Sequence, residues 1–165
     1  MPKYPVDHLM PIRELVRSRA VDHGRVFRRQ DLVAWGLPSD TVVPMLRRGW
    51  WIRLHHGVYA DVRDLSEDPG SPGRHLLFLA ASIRALTEPA YAFGPSAALV
   101  HDLALPRGLV DGVELVRPLG QEGRSLRRRI SAKDRLPEAL VRTHRLQPDD
   151  VTGVAGIPTV SVALA

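Results

Sequence analysis

Apolar residues recur at helical spacing near the start of the chain, at Ile12, Leu15, Val16 and Ala20, and Gly24 follows as a stop. This predicts a first helix. Arg25-Val26-Phe27 is a short β-prone step, after which Leu32, Val33 and Trp35 mark a second, shorter helix closed by Gly36. Leu37-Pro38-Ser39-Asp40 supplies a turn and capping residues, and Val42, Met45 and Leu46 place apolar groups on one side of a third helix that Gly49 ends. Pro44 has no N–H to donate, so this helix must start late, with Asp40 or Thr41 as its N-cap, to bring the proline into or just after the first turn. Residues 50–54 are β-prone, His55-His56-Gly57 reads as a turn, and Val58-Tyr59-Ala60 is β-prone again.

Three helices, with a strand step before the second and a hairpin after the third, make the order of a winged helix-turn-helix. Any small α+β domain can share that order, so the pattern alone leaves both open. Residues 61–73 are acidic and rich in Pro and Gly, too poor in apolar groups to hold a core. Beyond them, 75–86 is a strongly apolar helix and 95–103 another, followed by short strands at 112–116, 129–132 and 140–144. The expected fold class is α+β: a winged helix-turn-helix over 1–63, a linker over 64–73 and a small α+β domain over 74–165.

Charge sharpens the division. The chain carries a formal net charge of +5, and residues 1–63 hold eleven Lys or Arg against six Asp or Glu, so the whole excess lies in the first unit. One module facing a polyanion would produce that asymmetry, as would an arginine-biased genome. With no cysteine, a disulfide framework, a cysteine-ligated zinc and a thiol nucleophile are all excluded. The start lacks the basic-then-apolar pattern of a secretory signal, and no apolar stretch approaches a membrane span, so a cytoplasmic protein is expected.

On a winged helix, the residues expected to meet duplex DNA are Ser39, Asp40, Thr41 and Val43 at the start of the third helix, and Arg47 and Arg48 at its end. Arg28 and Arg29 opening the second helix, and Arg53, His55 and His56 as the polar tip of the hairpin, complete the set. Several have a plainer role open to them: Thr41 as a cap, Arg47 and Arg48 as cations at a helix C-terminus, and the hairpin tip as a solvated turn. Trp35, Trp50, Trp51 and Tyr59 suggest base stacking, but their aliphatic neighbours favour a core. Arg124, Arg127, Arg128 and Arg129 form a second basic cluster, better read as solvated surface.

Little points to catalysis. His101-Asp102 is the one adjacent His and acid pair, with no nucleophile nearby and ring bonding between the two as the plain explanation. No metal-spaced His/Glu motif or phosphate-cradling Gly loop occurs, so no cofactor, metal or enzymatic activity is expected. The front part of a restriction-endonuclease-like protein is an alternative, but it would need carboxylates around a lysine, and neither Lys3 nor Lys133 has such a cluster. A winged-helix protein-interaction module is another.

Residues 24–32 (Gly-Arg-Val-Phe-Arg-Arg-Gln-Asp-Leu) and 46–59 (Leu-Arg-Arg-Gly-Trp-Trp-Ile-Arg-Leu-His-His-Gly-Val-Tyr) resemble the N-terminal winged-helix domain of AbiEi-type antitoxins of bacterial type IV toxin-antitoxin systems. The spacing from Gly49 to Gly57-Val58-Tyr59 is the most specific part, and the likeness continues through 96–103 and 149–158. The resemblance implies a DNA-binding antitoxin and transcriptional autorepressor that occupies repeats in its own promoter; because a short winged helix reads only a few base pairs, specificity there requires two copies, such as a dimer on DNA, or a second contact. It further implies that the chain counteracts a nucleotidyltransferase-like toxin without a stable complex. Pro44 is unusual for the recognition helix of that family, and 159–165 reads as a helix cut short where similar proteins continue.

Overall fold

The computed structural model describes residues 5–106, 112–118 and 139–164. The predicted strand at 129–132, Lys3, Lys133 and the cluster Arg124, Arg127, Arg128 and Arg129 lie outside the described residues.

Helix α1 (Val6–Ala20) buries Leu9, Ile12, Val16 and Ala20. Leu15, expected on that inward side, is instead exposed, because Arg13 occupies the helix position that turns inward. A 3-10 turn, Val21–His23, leads to β1 (Val26–Arg28), α2 (Arg29–Ala34), a second 3-10 turn Ser39–Thr41, and α3 (Val42–Arg47). Thr41 is the N-cap of α3, so Pro44 falls at its third residue, where no intrahelical N–H is required. The third helix is thus short and late, as the proline demands. Strands β2 (Trp51–His55) and β3 (Val58–Asp61) form the hairpin, whose turn reaches a φ of +75° at Gly57, a conformation that favours glycine.

The first sheet has the order β1-β3-β2, all antiparallel, with Phe27 opposite Tyr59 and Arg53 opposite Tyr59 on its other side. Alternation along the strands sends Phe27, Trp51 and Tyr59 into a core with α1, α2 and α3, and sends Val26, Val58 and Ala60 into a second core on the opposite side. That opposite side is covered by α4 (Pro72–Ala85), capped by Ser71, whose hydroxyl accepts the Arg74 N–H at 3.1 Å. Both faces of the winged-helix sheet are therefore buried. The tryptophans follow the core reading: Trp51 is buried, with Phe27 edge-on to it at 4.7 Å, while Trp35 and Trp50 pack on the same cluster.

The acidic segment after β3 is tied down at several points. A 3-10 turn spans Val62–Asp64, Leu65 packs on the second core, and Arg74 donates to the Ser66 carbonyl at 2.8 Å. Next come β4 (Tyr91–Ala92), α5 (Gly94–Val100), β5 (Val113–Pro118), β6 (Ala139–His144), β7 (Val151–Val154) and β8 (Ile157–Val160). The five strands make a mixed sheet of order β6-β5-β4-β8-β7. Strands β4, β7 and β8 do not follow from the sequence pattern, and of the stretch 159–165 that reads as a helix cut short, Thr159 and Val160 lie in β8. Thr159 and Val160 go into the sheet core beside β4, and Val162–Leu164 makes only a 3-10 turn. His101 does not bond Asp102; its Nε2 lies 2.7 Å from the Val160 carbonyl, pinning α5 to β8.

Candidate nucleic-acid interface

The arginines of the first unit divide into two groups. Along the seam between α1 and the end of β3, the buried Asp61 accepts two hydrogen bonds from Arg13, Nε at 2.6 Å and Nη2 at 2.7 Å, and three more from the Arg63 backbone N–H, Nε and Nη2. Burial pushes the Asp61 carboxyl up, but the hydrogen bonds from Arg13 and then Arg63 outweigh it and hold the group at about 2. Arg13 also stacks over Trp50 at 5.1 Å. Asp64 receives Arg17 at 3.0 Å and Arg25 at 3.1 Å, and Glu14 pairs with Arg63 at 2.9 Å. Four of the eleven basic residues of residues 1–63 are therefore paired within the fold, sharing the three carboxylates Glu14, Asp61 and Asp64.

On α3 the arrangement is different. Asp40, Val43 and Arg47, spaced three and four apart, all face outward, and Val43 is 44% exposed although apolar. Val42 and Met45 turn inward and set that orientation. Arg53 shares the side of β2 that carries Trp51, the side on which α3 packs, and it is exposed. Arg28 sits opposite Val58, so Arg29 and the exposed turn residue His56 both lie at the hairpin end of the sheet. Arg29, Arg47, Arg53 and His56 have no acidic partner among the described residues. Gln30, exposed beside Arg29, adds an amide at the same place that the charge pattern did not reveal.

Five expected contacts sit differently. Thr41 is 0% exposed and its hydroxyl donates to the Pro38 carbonyl at 2.7 Å, so it neither reaches outward nor caps α3 with its side chain. His55 is 4% exposed, with Nε2 3.2 Å from Ser82 Oγ on α4. The register of β2 shifts between Arg53 and His55, and this bulge turns His55 toward α4 when plain alternation would have left it beside Arg53. Arg28 points to the α4 side by the same alternation that places Val26 there. Its backbone N–H donates to Asp31 at 2.6 Å, a carboxylate that also suits the helix start. Arg48 is half-buried and folds back toward the Pro44 carbonyl at 3.4 Å, and Ser39 is half-buried in its 3-10 turn.

Among the described residues, no three His, Asp or Glu side chains gather as metal ligands, and no helix is long and apolar enough to cross a membrane. No curated protein matches the chain. Residues 14–60, from the middle of α1 to β3, match the family model described as a transcriptional regulator, AbiEi antitoxin. The stretch takes in the helix-turn-helix, its hairpin and every outward residue named above, and over that stretch the chain is similar to an AbiEi-type antitoxin N-terminal domain.

Proposed function

We propose that the chain is a DNA-binding antitoxin that represses its own type IV toxin-antitoxin operon, with residues 1–63 contacting promoter repeats and residues 74–165 serving the antitoxin role across a connection at 64–73. The observation that carries the reading is the outward side of α3. Asp40, Val43 and Arg47 stand clear of the core, flanked by Arg29, Arg53 and His56 without acidic partners, inside the segment that matches the regulator family. In this reading Arg29, Arg47 and Arg53 meet phosphates, Val43 touches a base edge or thymine methyl, and His56 reaches the neighbouring backbone from the short hairpin. A helix this short reads few base pairs, so specificity comes from two copies on repeats. The counterpart is a nucleotidyltransferase-like toxin that the antitoxin opposes without a stable complex, in the cytoplasm and without enzymatic activity of its own.

Footprinting the full-length protein on the DNA immediately upstream of its gene tests this. Protection of two repeats separated by about 10 bp, or a multiple of it, is expected. Equal binding to a scrambled duplex, with no protected repeat, would remove autorepression from the reading.

A further inference from the structure

Behind the winged-helix sheet, between the end of α4 and the turn joining β7 to β8, lies a cavity of about 500 Å³. Arg28 enters it from β1. Its guanidinium is half-buried, has no acidic partner among the described residues, and carries a buried Nε with no acceptor. Arg84 reaches the same cavity from the last turn of α4. Its Nη2 pairs with Asp31, but its Nε is likewise buried without an acceptor.

Withdrawing a cation from water without a counter-charge is costly, so an unpaired guanidinium on a cavity wall leaves a place for an anion. The carboxylates at the rim do not fill it: Asp22 is exposed and bonds neither arginine, and Glu88 is engaged by Arg117. His23, also on the wall, is held below its ordinary value first by burial and then by Arg84, and so contributes a neutral hydrogen-bonding ring. Ile83, Tyr91 and Pro158 supply an apolar lining. The wall is also fixed in place, since a Cβ on Gly156 would stand 2.5 Å from the backbone carbon of Asp22, and only glycine lets the hairpin turn seat there.

We propose that this cavity binds a small organic anion, a carboxylate or phosphate group on an apolar or aromatic body, with Arg28 as its main counter-charge. The volume lies within the range of small-molecule sites. No outward residue of α3 takes part, so the proposal stands or falls separately from DNA binding.

Benzoate and phenyl phosphate, with benzamide as the neutral isostere, are titrated into the 15N-labelled full-length protein and followed by amide chemical shifts. Saturable shifts at His23, Arg28 and Gly156 are expected, with at least one anion binding about tenfold or more tightly than benzamide. Arg28→Gln should abolish the preference while Arg29→Gln, one residue away on the exposed start of α2, leaves it intact. Arg28→Lys keeps the charge but not the planar fork and should fall between wild type and Arg28→Gln. If Arg28→Gln does not fold, the wild-type comparison of anions with benzamide decides alone. Benzamide binding as tightly as both anions, no saturable shift with either anion, or a folded Arg28→Gln that binds like wild type would each overturn the proposal.

Discussion

Along the seam between α1 and the end of β3, arginines meet carboxylates; on the outward side of α3 and on the edge strand β2, they do not. The same residue type, within the same sixty residues, is used to hold the fold in one region and is left unpaired toward solvent in the other. Arg13 and Asp61 are both buried, so each depends on the other for its charge to be tolerated. Arg47 and Arg53 are exposed, and neither has an acidic partner among the described residues. A unit's net charge therefore overstates the part of its surface that can face a polyanion, and pairing within the fold has to be subtracted first.

The largest expected effect breaks the seam. Asp61→Ala strands the buried Arg13 guanidinium and should cost about 3 to 5 kcal/mol in urea unfolding. A loss under about 1 kcal/mol would mean that the pair is solvated and the contrast false. Asp61 is held low, at about 2, so its contribution is present above the ordinary carboxylate range and disappears only as pH falls from about 4 toward 2.

Acid should act through α4 much earlier. His75 on α4 lies 3.0 Å from Ser96 Oγ, and burial lowers its pKa to about 4. The unfolded chain binds the proton more readily, so stability is full above about pH 6.5 and declines toward pH 4, by at most about 1.4 kcal/mol per pH unit. His75→Gln should flatten that slope in thermal melts; an unchanged slope would assign the acid sensitivity elsewhere.

Smaller effects separate neighbours on α3. Val43→Ala should change the preference for one base pair of the operator by about 1 to 3 kcal/mol while stability stays within about 0.5 kcal/mol. Thr41→Val should do the converse, costing about 1 kcal/mol of stability through the lost hydrogen bond to Pro38 and leaving base preference unchanged. Competition binding against single-base variants of the operator distinguishes them, and a preference shift in Thr41→Val would show that the buried hydroxyl is not buried on DNA.

The helices and hairpin of the first unit were legible because period and punctuation agreed: apolar spacing, glycine stops and a proline that fixed where α3 starts. Charge signs were legible too, but not their partners, since Asp61 and Asp64 lie some fifty residues from Arg13 and Arg17 and only the fold brings them together. His55 was misplaced because a β-bulge breaks the period of two without leaving a composition signal. Thr41 was placed outward because a polar residue at a helix start usually is, and the 3-10 turn that buries it has no such pattern. The strands β7 and β8 were missed because each is four residues long and mixed in polarity, and their pairing with each other and with β4 supplies what local preference does not.

The salt dependence of binding to DNA upstream of the gene tests the contrast most directly, measured side by side for wild type, Arg47→Ala/Arg53→Ala and Arg25→Gln. Each phosphate contact contributes about 0.9 to the slope of log K against log salt, so losing both outward arginines should lower its magnitude by roughly 2. Arg25, bound to Asp64 in the seam, should leave the slope where it was. Equal slopes for wild type and the double variant, or a fall in Arg25→Gln instead, would contradict the assignment of the unpaired outward arginines to DNA.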